Sequence, residues 1–142
     1  MKVVVLPCSG IGKPLGTVSR LAAYRVAEEL RPDTTAVTCL AQLVAEDPQA
    51  LALVRENPCI ALDGCPKECA RRNIEIAGGK VGSELRVMDV FRRHMDLKPE
   101  TVLDVGTGGE KLTAVISREV AGEVDRLSIK MTADSLKKRG GK

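Results

Sequence analysis

The stretch "KVVVLPCSGIGKPLGTVSRLAAYRV", residues 2–26, decides the fold. Val3, Val4, Val5 and Leu6 form an unbroken apolar run closed by Pro7. That is the pattern of a strand buried on both faces, as in a parallel sheet covered by helices. After Cys8 and a glycine-rich turn, Val18, Ala22, Val26 and Leu30 recur four residues apart, with Leu15 and Leu21 alongside. Such spacing predicts an amphipathic helix, and Pro32 stops it.

The same alternation continues along the chain. "TTAVTCL" (34–40) reads as a second strand. Asp47-Pro48 supplies a helix cap and a first-position proline for "QALALVREN" (49–57), which Asn57-Pro58 ends. "CIALDG" (59–64) is a third buried strand, followed by a helix from Pro66 to the Gly78-Gly79 pair. "SELRVMDVFRRHM" (83–95) fits a helix capped by Ser83, with Leu85, Met88, Phe91 and Met95 on one face. A strand over Leu85–Val90 is the alternative, and the helix is preferred. "ETVLDVG" (100–106) reads as a fourth strand and "EKLTAVISREVAGEVDRL" (110–127) as a closing amphipathic helix. Strand and helix in alternation predict an α/β fold: one domain over residues 1–136, with a four-stranded, mainly parallel sheet and helices on both faces.

Composition narrows the function classes. The 142 residues suffice for one hydrophobic core, and 44% apolar with 29% charged residues is ordinary globular usage. No apolar run approaches the roughly 20 residues of a membrane helix, and the opening segment is too short for a secretory signal. A cytoplasmic protein is expected, in which thiols stay reduced and cysteines serve as ligands or catalysts. Of the net charge of +3, "SLKKRGGK" contributes Lys137, Lys138, Arg139 and Lys142, so the remainder sums to −1. With one Tyr, one Phe and no Trp there is almost nothing for bases to stack on. Residues 137–142 read as a basic, disordered, solvated tail, and neither nucleic acid nor membrane is expected as a partner.

Topology brings the cysteines into focus. Open parallel sheets build their sites beyond the carboxyl ends of the strands, where strand order switches. Cys8 follows the first strand, Cys39 ends the second, Cys65 follows the third and Cys69 lies four residues on. The separations of 31 and 26 residues are each about one strand–helix repeat. Four thiolates from such positions suit a closed zinc site or a small iron–sulfur cluster, and spacing alone does not choose. Cys59, at the start of the third strand, is expected at the opposite end as a buried small residue. Cys65 is read as a helix N-cap with Pro66 and Glu68 in the first turn, where the helix dipole and Lys67 favour a thiolate. Asp63 and Gly64 are read as shaping the turn that aims Cys65. Ser9, Gly10 and Gly12 are read as letting backbone amides approach the site, with Lys13 adding positive charge.

Taken together, "VVVLPCSGIGKPLGTVSRLAAYRV", "TCLAQL" and "IALDGCPKECARR" resemble the DGC-domain proteins, a prokaryotic family to which zinc binding is ascribed. The resemblance covers roughly the first 80 residues and implies that Cys8, Cys39, Cys65 and Cys69 are its four characteristic cysteines, with zinc as cofactor. "LKPETVLDVGTGGEK" resembles the strand and turn that follow, and residues 79–97 look like an insertion.

Rival readings are weaker. A low-molecular-weight phosphatase or arsenate-reductase-like loop needs an Arg six residues after its Cys, and Pro14 stands there. "GIGK" lacks the spacing of a nucleotide-binding loop. "VLDVGTGGE" resembles a methyltransferase glycine loop but has too few residues after it for that sheet. A thiol redox role for Cys65 and Cys69 stays open. With no His near the cysteines and no paired carboxylates, a metal-binding, sensing or carrier module is favoured over an enzyme, and a metal ion is the one partner indicated.

Overall fold

Val3–Pro7 forms β1 at the centre of a four-stranded, all-parallel sheet of order β2-β1-β3-β4, with β2 at Thr35–Val37, β3 at Pro58–Asp63 and β4 at Lys80–Arg86. The computed structural model describes residues 1–8 and 12–141. Helices α1 (Pro14–Arg25), α5 (Val87–Arg93) and α6 (Gly106–Gly140) cover one face, and α2 (Leu40–Val44), α3 (Pro48–Glu56) and α4 (Cys69–Ile76) the other.

The strand sequence explains the two layers. Successive side chains of a strand point to opposite faces. Val3 and Val5 of β1, with Ile60 and Leu62 of β3, meet Val18, Ala22, Ile116 and Val120 on one side. Val4 and Leu6, with Cys59 and Ala61, meet Leu43, Val54 and Ile74 on the other. An apolar residue at every position of β1 is therefore what a central strand of a two-sided sheet requires. Beyond Arg25, α1 passes into a single π turn, Val26–Leu30, closed by Arg31 N–H to the Val26 carbonyl at 2.7 Å. That turn delivers the Arg31 guanidinium to both carboxylate oxygens of Asp125 on α6, at 2.6 and 2.7 Å.

Three expectations need correction. The fourth strand is Lys80–Arg86, running into a helix at Val87, so "SELRVMDVFRRHM" is neither all helix nor a strand from Leu85 to Val90. Gly82 hides this strand in the sequence. Cys59 pairs with Val81 and Ile60 with Ser83, which leaves Gly82 as a bulge and breaks the alternation. Residues 79–97 are accordingly no appendage, since β4 completes the sheet against β3. "ETVLDVG" is a loop. Thr101 Oγ1 donates to the Asp104 carbonyl and accepts the Asp104 N–H, while the Val102 carbonyl accepts from Thr17 Oγ1 at 2.7 Å. The Thr101–Asp104 turn and the bond to α1 hold this backbone as a loop.

Helix α6 spans 35 residues, about 52 Å at 1.5 Å per residue. Leu112, Ile116, Val120, Val124 and Leu127 make its buried row, and no described residue after Leu127 is buried. Lys137, Lys138 and Arg139 lie in its last turn. They are solvated as expected, yet helical where a disordered tail is expected, because a helix already nucleated extends at little further cost. No described helix is long and apolar enough to cross a membrane.

Candidate metal-binding site

From β1 the chain crosses first to β2 and later, in the other direction, to β3. The switch point therefore lies between the carboxyl ends of β1 and β3, where an open crevice forms in folds of this kind. Cys8 occupies it. Its backbone N–H extends the ladder to the Leu62 carbonyl at 3.0 Å. Its half-buried Sγ accepts the Gly64 N–H at 3.2 Å and lies 3.2 Å from Ser19 Oγ. Ser19 donates its own proton to the Gly16 carbonyl at 2.6 Å. The protonated Cys8 thiol is thus the donor to Ser19, and a deprotonated sulfur would keep the amide of Gly64 as a partner.

The Asp63-Gly64 pair does two jobs. Gly64 is buried against the first turn of α1, and a Cβ there would stand 2.8 Å from Gly16 N and 2.9 Å from Gly16 Cα. Only glycine lets helix and strand end approach so closely. The Asp63 carboxylate, also buried, accepts the backbone N–H groups of Ala70 at 2.7 Å and Arg71 at 3.2 Å. Burial raises its pKa above the usual carboxylate value, and those two N–H bonds oppose the rise.

This capping corrects the expected helix start. Residues 64–68 form a turn, with Glu68 N–H to the Cys65 carbonyl at 3.4 Å, and α4 opens at Cys69. Pro66 disfavours a helical conformation at Cys65, and Asp63 satisfies the free N–H groups from outside the helix. Cys65 and Cys69 consequently do not share a helical face. Glu68 takes the N-cap position in the left-handed region, at φ 57° and ψ 43°, without capping through its side chain. Its carboxylate is instead clamped by Arg71 and, at 2.9 Å, by Arg86 of β4. The Arg71 hydrogen bond leads in holding that carboxyl below the usual range.

The other sites fall as follows. Cys39, two residues beyond β2, is the exposed N-cap of α2, and its carbonyl accepts the Leu43 N–H at 3.2 Å. Cys65 is half-buried in the turn and Cys69 is exposed. Lys13 is the exposed N-cap of α1, and Gly12 has φ +117°, which suits glycine. Ser9 and Gly10 lie outside the described residues. Cys59 sits at the amino end of β3, fully buried, and burial pushes its thiol up to about 12.

Each of the four cysteines thus follows the carboxyl end of a strand, and all are free thiols. The fold brings Cys8 against the segment carrying Cys65. Among the described residues, however, no three His, Cys, Asp or Glu side chains are gathered closely enough to hold a metal ion. Sequence reasoning missed Ser19, Arg71 and Arg86. Ser19 looks like any helix residue, and Arg86 reaches Glu68 only because β4 pairs with β3.

A parallel α/β sheet of switched order, with cysteines along its carboxyl edge, defines the class. The family model for the DGC domain matches residues 4–107, and the chain belongs to that family. The match runs through β4 and α5 as well as the cysteine-bearing segments. No curated protein and no solved structure matches the chain.

Proposed function

We propose that the chain is a cytoplasmic metal-binding protein that holds zinc through Cys8, Cys39, Cys65 and Cys69, as a sensing or carrier module. The observation that carries this reading is the partition of the thiols. All five are free; four follow strand ends on the carboxyl side of the sheet, whereas the fifth, Cys59, is buried at the other end. The donor set is chemically suited to zinc: four sulfurs and no imidazole, with the nearby Asp63 engaged in capping. Zinc bound there would cross-link three segments of the carboxyl edge. Gly64 would keep its N–H on the Cys8 sulfur, the kind of outer contact that orients a ligand. Closing the shell would draw together sulfurs that, among the described residues, are not gathered within reach of one ion.

Metal analysis after anaerobic purification, followed by cobalt substitution, tests the reading. One equivalent of zinc, and a cobalt–thiolate absorption lost in Cys8→Ser and Cys65→Ser but kept in Cys59→Ser, is expected. Iron with visible absorption would move the assignment to a cluster on the same sulfurs. No metal retained or taken up by the reduced protein would refute it.

A second reading, a thiol enzyme acting in redox or oxyanion chemistry, rests on the Cys8 sulfur at the switch point with its amide donor. It predicts selective alkylation of Cys8 in metal-free protein, with Cys39 and Cys69 dispensable.

A further inference from the structure

The outward face of the last three turns of α6 changes character, while Met131 on the inner side still packs on the core. The outward row reads Arg118, Gly122 and Asp125 along the packed part, with Asp125 paired to Arg31. Beyond Leu127 the same row, at spacings of four and three, becomes Ile129, Ala133 and Leu136. Ile129 is 71% exposed and Leu136 62% exposed, and with Ser128, Thr132 and Ala133 they line a shallow apolar patch. Lys130 and Lys137 flank this stripe on one side and Arg139 on the other, by their positions around the helix. No ion pair among the described residues takes up Lys130, Lys137, Lys138 or Arg139. Residues 128–142 carry five cations and one anion, Asp134, against a slightly acidic remainder.

We propose that this segment, Ser128–Gly140, is an interfacial helix that lies on an anionic lipid surface, its Ile129–Ala133–Leu136 stripe among the acyl chains and its flanking cations among the headgroups. Charge complementarity selects that occupant. A second copy would bring Lys130, Lys137 and Arg139 against the same cations, with Asp134 the one carboxylate of the segment to offset them. A protein partner held by this patch alone would have three apolar side chains, two of them large, far short of the roughly 1,200 Å² of a stable interface. Nucleic acid would use the cations and leave the stripe unsatisfied. A lipid surface uses both, since interfacial helices bind by a modest apolar face together with basic residues drawn to anionic headgroups. The helix is too polar to span a bilayer and lies on it instead.

The test is co-sedimentation of the full chain with phosphatidylcholine vesicles, with and without phosphatidylglycerol, at low and high salt. Binding is expected only to the anionic vesicles, weakened roughly tenfold or more by high salt. The double variant Ile129→Ser/Leu136→Ser should reduce it by about tenfold or more. Lys137→Glu/Lys138→Glu should abolish it, and neither pair should move the thermal midpoint because all four side chains are exposed. Equal binding to neutral and anionic vesicles, no binding at all, or binding indifferent to the loss of Ile129 and Leu136 would each overturn the proposal. So would a concentration-dependent dimer that the Ile129→Ser/Leu136→Ser change dissociates. The experiment is independent of the metal reading, as the stripe lies at the opposite end of the sheet from Cys8, Cys39, Cys65 and Cys69.

Discussion

The carboxylate of Asp63 accepts the backbone N–H of Ala70 at 2.7 Å across seven residues of chain. A strand thereby caps the helix that follows it from a distance, and the turn holding Cys65 is closed at both ends. Asp63→Ala is expected to cost about 1–2 kcal/mol, the usual value of a lost cap, with both N–H groups of α4 left without an acceptor. Asp63→Asn, which keeps one oxygen, should cost less. Urea midpoints at constant slope measure the difference.

Gly64 and Gly122 predict opposite responses to one added methyl. At Gly64 the new Cβ meets Gly16 backbone at 2.8 Å, and helix α1 must shift off the sheet. Gly64→Ala should destabilise by roughly 1–3 kcal/mol and disturb Cys8, whose sulfur takes the Gly64 N–H. Gly122, inside α6, has nothing within 4 Å of its added Cβ. Gly122→Ala should stabilise by about 0.5–1 kcal/mol. Equal effects at the two positions would contradict the close approach of Gly64 to Gly16.

Cys59 should be silent where the other cysteines are not. Mass spectrometry of native protein treated with an alkylating agent near neutral pH should find label on Cys39 and Cys69 and none on Cys59 until unfolding. Its thiol, raised by burial from 9.0 to about 12, also sets an alkaline signature. Below the ordinary value both folded and unfolded chains hold the proton, and stability is unaffected. Between about 9 and about 12 only the unfolded chain loses it, so stability should fall by up to about 1.4 kcal/mol per pH unit. Cys59→Ala should remove that slope.

Acid acts through different groups. The Arg71 hydrogen bond lowers the pKa of Glu68, and the Arg31 hydrogen bond lowers that of Asp125. Each carboxylate contributes stability that is present above its unfolded value and is lost as pH falls through the lowered folded one. Urea midpoints should therefore decline from weakly to strongly acid pH, and Glu68→Gln with Asp125→Asn should flatten the decline. An unchanged slope would remove both pairs from the account of acid stability.

Which parts of this fold could be read from the chain follows from how local their causes are. β1, β3 and α1 announce themselves, because runs such as Val3–Leu6 and the spacing of Val18, Ala22 and Val26 are written in consecutive residues. β4 is disguised by the Gly82 bulge and by its place at the sheet edge, where Lys80 and Glu84 are exposed. Val102–Val105 has strand composition, but its backbone is claimed by Thr17 and by the Thr101–Asp104 turn. The positions of Cys8, Cys39, Cys65 and Cys69 after strand ends follow from topology and were legible. The opening of α4 at Cys69 was not, because its cap comes from a carboxylate six residues upstream.

Helix α6 starts beside the loop that Thr17 holds, near the thiol-bearing edge, and passes Gly82 at Leu127 near the amino ends of the strands. It is thus a strut about 52 Å long whose two tips face opposite poles of the molecule. Under the two proposals made above, the surface that would be moored and the thiols that would be loaded lie at opposite poles, so that neither event would stand in the way of the other.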